Sequence, residues 1–292
     1  MTAPVSTTGA AVLDATRREH AAGRRAHRWF LLVARLGIVV AVLVGWDLAS
    51  GTLLRPFFLS SPTDVAATLV EWAGSGELWY HGRFTVTAAL VGYLIGAVAG
   101  VLVAWPLGMV RVAYRIAEPY FLVAYSVPAV AMGPVFILWF GLGMTPKILI
   151  AAYFVFFIVF INTVAGFQQV PRGLLDTTRV LGASRRAQLR TVMLPSALPF
   201  ILAALRITLP AAMIGAVTGE FISSNRGLGY LTRASAASFS TAGVLAGVLS
   251  LSAIVLLMNL LLRPLRHALR WQQEIDVSHA GAKRPIETAG GH

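Results

Sequence analysis

Little in this sequence could make or break a covalent bond. It contains no cysteine, which removes thiolate nucleophiles, thiolate metal ligands and disulfides. The histidines stand at His20, His27, His81, His267, His279 and His292, with no H-E-x-x-H or other ligand-like cluster among them. No G-x-x-x-x-G-K-[ST] occurs either, so no Walker-type nucleotide site is expected, and neither a metal nor a cofactor. What remains is electrostatic. Asp47, Arg206 and Glu220 lie in or at the ends of apolar runs. The segment LLDTTRVLGASRRAQLRTVMLP, residues 174–195, carries four arginines and one acid. Such groups can line a pathway, meet acids on another surface, or sit on lipid headgroups.

The elements that must position these residues are membrane helices. The 292-residue chain is 57% hydrophobic and 12% charged, against about 25% charged in a soluble domain. Six apolar runs are long enough to span a bilayer, at about 30–48, 85–109, 120–142, 147–167, 197–221 and 243–262. The fold class is an all-α membrane protein with six transmembrane helices. Pro128 and Pro134 should bend or break the third, and such breaks survive where neighbouring helices satisfy the freed backbone groups.

Charge gives the orientation. Eighteen lysines and arginines fall on the side of both termini and the 168–195 loop, five on the other, and Arg206 within a span. Positive charge marks the cytoplasmic side. Both termini and the basic loop are therefore expected in the cytoplasm, and the net charge of +12 needs no nucleic acid to explain it. Residues 1–28 are basic, lack an apolar core and read as a disordered tail, not a cleavable signal. Residues 29–270 form the membrane domain, and 271–292 a second disordered tail. Outside, Ser61-Pro62-Thr63-Asp64 reads as a capped helix start running to about Trp72.

Within this frame Arg206 stands about 16 Å along the fifth span from Pro195. It can snorkel to the interface, pair inside the bundle, or face a pathway. Glu220, near the outer end of that span, is a gate residue or a helix-end acid. Trp139 and Phe140 read as interfacial anchors. The basic loop reads as two short helices. Leu174, Thr178 and Leu181 share a face of the first, and Gly182 turns the chain. Ser184 caps a second helix running to about Met193, with Leu189, Val192 and Met193 on one face. Arg185, Arg186 and Arg190 project elsewhere, and Pro195 marks entry into span five. A rigid knuckle with apolar tips and basic flanks suits a groove on a partner protein, and a basic loop lying on lipid headgroups fits the same residues.

The spacing D-T-T-x3-G-x9-V-x-L-P from Asp176 to Pro195 resembles the E-A-A-x3-G-x9-I-x-L-P loop of bacterial ABC-importer permeases. Gly182, Leu194 and Pro195 match in place, while Asp176, Thr177 and Thr178 depart from Glu-Ala-Ala. WFGLGMTPKI and GEFISSNRGLGYL are similar to segments of the nitrate/sulfonate/taurine/bicarbonate-type subgroup, with Glu220 at the family's acid position. The resemblance covers about residues 30–270. It implies a type I importer permease fold with coupling helices between spans four and five, in a bacterial inner membrane. It also implies two copies of a separate ABC ATPase, an extracytoplasmic solute-binding protein and a second permease copy, most simply a homodimer. Asp176, Thr177, Thr178, Gly182, Arg185, Arg186, Leu194 and Pro195 then form the ATPase-coupling loop, and Arg206 and Glu220 pathway or gate residues. The implied cargo is a small anion such as nitrate, a sulfonate, taurine or bicarbonate. The alternatives are a thiamine- or riboflavin-precursor-like solute, and a self-sufficient secondary transporter.

Overall fold

The computed structural model describes residues 7–53, 55 and 57–261, with side chains from residue 29 onward apart from those of 172 and 261. The tail expected over 271–292 lies outside the described residues. Every regular element among the described residues is helical. A backbone crossing lipid must satisfy its own hydrogen bonds, and a helix does so within one segment. Two compact units divide the chain, Met1–Ala67 and Thr68–His292.

The first unit holds α1 (Thr7–Thr52) and the start of α2 (Pro62–Gly74). The basic segment expected as a disordered tail is helical from Thr7 and runs on into the apolar span. Helical geometry gives way at Ser50 and Gly51, where φ reaches 92°. Trp46 Nε1 donates to the Ser60 carbonyl at 2.9 Å, and Ser50 Oγ to the Leu59 carbonyl at 2.8 Å. α2 starts as its sequence requires. Ser61 Oγ accepts the Asp64 N–H at 3.1 Å and donates to the Asp64 carboxylate at 2.7 Å. That hydroxyl bond holds the exposed Asp64 carboxyl below its usual pKa.

The second unit is built on α3 (Glu77–Met109), α6 (Met144–Gln168) and α9 (Leu194–Ile222). Their contact surfaces are lined with glycine and alanine. Ala88, Ala89, Ala151, Ala204, Ala212 and Ala216 have no exposed surface. The glycines do more than leave room. A Cβ on Gly96 would stand 2.4 Å from the Ala152 carbonyl oxygen, and one on Gly215 2.6 Å from the Ala151 Cα. Backbone therefore meets backbone on both sides of α6. Lipid offers no hydrophobic drive between helices, so close dispersion contact must hold the bundle. Tyr93, donating to the Leu205 carbonyl at 2.9 Å, adds a polar tie from α3 to α9.

α3 begins two turns before the expected 85. In its first turns His81 and Thr85 are buried on one face while Trp79 and Tyr80 stay exposed, so the hydropathy edge and the helix edge differ. The third expected span is broken. α4 (Arg111–Ser126) and α5 (Ala129–Phe140) meet at 88°. Pro128 offers no N–H and drives Val127 into extended geometry, φ −68° and ψ 123°. The Tyr153 hydroxyl sits on the Ala124 and Val127 carbonyls at the break. Pro134, the other expected breaker, lies inside α5 without ending it. α10 (Leu228–Ala237) and α11 (Thr241–Leu261) complete the unit. Five described helices are long and apolar enough to cross a membrane, and six spans result when α4–α5 counts as one broken span.

Gly215→Val should lower stability by about 1–3 kcal/mol through overpacking against α6. Gly45→Val, where a Cβ meets nothing within 4 Å, should cost much less. Thermal unfolding of both variants in detergent checks the difference, and equal losses would contradict the close-contact account.

Candidate functional site

Two polar assemblies stand at opposite ends of α9. The first follows α6. α7 (Arg172–Val180) ends at Leu181, and Gly182 turns the chain with φ 78°, a conformation cheap only for glycine. Ser184 then caps α8 (Arg185–Gln188), accepting the Ala187 N–H at 3.2 Å. Thus Gly182 and Ser184 act as their types and spacing demand.

The second short helix differs from expectation. It does not end before span five. A π-helical turn at Leu189–Met193 carries α8 directly into α9, with the Leu194 N–H bonded to the Leu189 carbonyl. Pro195 has no N–H for a regular turn, and the widened turn lets the helix continue through it. The result is one helical run from Arg185 to Ile222, 38 residues long. Its first apolar face is also spent inward. Val192 is buried, and Leu189 and Met193 pack on Phe167, Ala197 and Ile201. The exposed apolar tips belong to the first helix and the turn: Leu174, Val180 and Leu181, the last two 88% and 79% exposed.

What stiffens this elbow is a residue the sequence reading passed over. Gln188 is buried, and its Nε2 donates to the Leu175 carbonyl at 3.1 Å and to Thr178 Oγ1 at 3.0 Å. Thr178 in turn donates to the Leu175 carbonyl at 2.8 Å. The threonine standing where the resembled family has alanine thus supplies an acceptor that ties α7 to α8. Thr177 only bonds back to the Gly173 carbonyl at 2.8 Å. Asp176 meets Arg179 at 3.3 Å with both groups about two-thirds exposed, a pairing worth little in water. Arg185, Arg186, Arg190 and Pro195 are exposed, and Leu194 is half-buried.

The second assembly closes the far end. Glu220 has no exposed surface. Its Oε1 accepts from Thr85 Oγ1 at 2.8 Å and its Oε2 accepts the Gly229 N–H at 2.8 Å. The Leu228 N–H donates to Thr85 Oγ1 at 2.9 Å, and the Gly227 N–H to His81 Nδ1 at 3.0 Å. Three successive N–H groups at the start of α10, unsatisfied within any helix, are thereby capped by α3 and α9. His81 also stacks on Tyr230, rings 5.6 Å apart. The glycines of the G-L-G run follow from the carboxylate. A Cβ on Gly227 would lie 2.1 Å from the Glu220 carboxyl carbon, and one on Gly229 2.9 Å from Oε2. Glu220 was legible as a candidate from its place in an apolar run. His81 and Thr85 were not, being 146 and 135 residues from their partners.

Arg206 is separate from both assemblies. It lies midway along α9, half-buried, and its Nε and one Nη are enclosed without a hydrogen-bond partner. It does not reach Glu220. Trp139 and Phe140 end α5 with their rings exposed, 65% and 54%, as membrane-interface anchors would be.

Known proteins share this architecture. The family model for the binding-protein-dependent transport system inner membrane component matches residues 92–271. The putative aliphatic sulfonates transport permease protein of Bacillus subtilis is 30% identical over 256 residues, covering 87% of this chain and 92% of the relative. The riboflavin transport system permease protein of Chloroflexus aurantiacus is 35% identical over 238 residues, 80% of this chain and 88% of the relative. The taurine transport system permease protein of Escherichia coli is 32% identical over 245 residues, 82% and 89%. Among solved structures, an amino acid ABC transporter has a TM-score of 0.56 at 18% identity, over 70% of this chain and 97% of that one. The inward-facing methionine ABC transporter has a TM-score of 0.54 at 22% identity, over 68% and 96%. With a six-span helical core and a family match over most of the domain, this chain belongs to the binding-protein-dependent transport system inner membrane components, the multi-pass permeases of ABC importers.

Proposed function

We propose that this permease forms half of a solute passage driven by a separate ABC ATPase, and that the α7–α8 elbow receives the ATPase's motion. The observation that carries this reading is mechanical. The elbow is clasped by Gln188 and runs without a break into α9. At 1.5 Å per residue such a run is about 57 Å long. A push at Arg185 is thereby conveyed to the Glu220 latch, through helix that packs backbone-to-backbone on α6. Exposed Leu174, Val180 and Leu181 beside Arg185, Arg186 and Arg190 fit a groove with an apolar floor and acidic rim. The chain does no bond chemistry.

The elbow faces the cytoplasm with both termini, as the eighteen-to-five distribution of basic residues supports. Two copies, most simply identical, make the passage, and an extracytoplasmic binding protein loads it at the Glu220 end. Arg206, whose Nε and one Nη are enclosed without a hydrogen-bond partner among the described residues, belongs to the pathway, because a guanidinium in a span needs a partner. The cargo is a small anion, in keeping with the sulfonate and taurine relatives. A flavin-like aromatic solute is the second reading, favoured by the 35% identical riboflavin permease.

Docking rests on the turn at Gly182. Nothing stands within 4 Å of a Cβ there, so a substitution acts through φ alone. Gly182→Val should weaken co-purification with the ATPase about tenfold, the equivalent of about 1.4 kcal/mol. Gly182→Asn, which tolerates the left-handed region, should retain most of it. Both should insert normally, and undiminished assembly of the Val variant would contradict the docking role.

The latch makes its own demand. Glu220→Ala strands the buried Gly229 N–H and should cost about 1–3 kcal/mol in thermal unfolding. Glu220→Gln, keeping one acceptor, should recover part of that stability. A fully stable Ala variant would remove Glu220 from any latching role.

A further inference from the structure

Beside the latch lies a pocket of about 430 Å³, lined by Leu142, Lys147, Ser223, Ser224, Asn225 and Arg233 among others. Its cation is buried and makes no direct ion pair among the described residues. Lys147 is 4% exposed, and its Nζ donates to Ser224 Oγ at 2.5 Å. No carboxylate reaches it within ion-pair distance, since the only ion pair among the described residues is Arg179–Asp176. Glu220 follows Gly219, whose missing Cβ lets α9 press on the Lys147 stem. Both Glu220 oxygens, however, are taken by Thr85 and Gly229.

More positive charge gathers on the same short turn. Arg233 donates to the Ser224 carbonyl at 2.8 Å, and the Arg226 N–H donates to Ser224 Oγ at 3.1 Å. The guanidinium of Arg226 lies over the Phe84 ring at 5.3 Å and that of Arg233 over Tyr230 at 5.9 Å. Neither has an acidic partner among the described residues. A buried ammonium with no carboxylate in direct contact is costly, and Glu220 offsets it only through space. Here the ammonium opens onto a cavity bordered by a second cation, the Ser223 hydroxyl and the Asn225 amide, the donors that a small oxyanion requires.

We propose that this pocket is a subsite for a small oxyanion of the sulfonate, nitrate or bicarbonate kind, with Lys147 as its principal charge. It lies at the end of α9 away from the elbow, which is the loading end of the passage on the permease reading. The proposal rests on that reading and names the class of cargo.

The chain has two lysines, Lys147 and Lys283, so amine acylation read by mass spectrometry reports on Lys147 with an internal control. The assembled transporter in nanodiscs is treated with a water-soluble acylating ester in sodium methanesulfonate, in sodium chloride or in glycerol. Methanesulfonate should slow acylation of Lys147 at least fivefold relative to chloride, leaving Lys283 unchanged. Calorimetric titration with methanesulfonate should give saturable binding. That binding should weaken at least tenfold in Lys147→Gln and be partly kept in Lys147→Arg. Equal acylation in all three media together with no saturable heat would overturn the proposal, as would binding unchanged in Lys147→Gln. Protection that appears only when the solute-free binding protein is added would also overturn it, because the pocket would then take a protein carboxylate. ATP-dependent uptake that survives such a result leaves the permease reading standing and removes only the anion subsite.

Discussion

The close approach of three helix backbones is the constraint on which the rest of this permease depends. α6 is gripped by Gly96 of α3 on one side and Gly215 of α9 on the other, at separations that exclude even a methyl group. In water such a bundle could rely on apolar burial. In lipid the tails are as apolar as the side chains, and association comes from packing and a few polar ties. Small residues are therefore the adhesive, and the alanines without exposed surface along α3, α6 and α9 extend the same contact.

A stiff core makes the two ends of α9 mechanically related. At one end the helix grows out of the elbow through a π turn, because Pro195 rules out a regular one. At the other it ends two residues past a buried carboxylate that, with His81 and Thr85, caps three N–H groups of the next segment. Both spend buried polar groups on holding backbone turns in place, which on the proposed reading lets a partner switch the passage between discrete states.

Local physics was readable from the residues. The Ser61 cap, the Gly182 turn, the Ser184 cap and the break at Pro128 each follow from one residue's backbone preference and appear where that preference puts them. Contacts remote in sequence were not readable. The Glu220 latch joins residues more than 130 positions apart. Gln188 looks like any polar residue of a surface helix until its amide is seen on Thr178. The inward face at Leu189, Val192 and Met193 shows why periodicity alone misleads: an amphipathic stripe says that something covers it, not that the cover is another protein. One signal lay in plain view. Gly92, Gly96 and Gly100 recur at four-residue spacing, the pattern of close helix contact in membranes. Lys147 counted only toward topology, because burial of a charge beside a span's end is invisible to hydropathy.

The central claim is that this chain is a passage whose energy arrives from outside it. Reconstitution into vesicles, alone and with its ATPase and binding protein, tests that claim most directly, with radiolabelled taurine uptake as the readout. Uptake should require all components and ATP, and be indifferent to imposed proton or sodium gradients. Gradient-driven uptake by the permease alone would contradict the account.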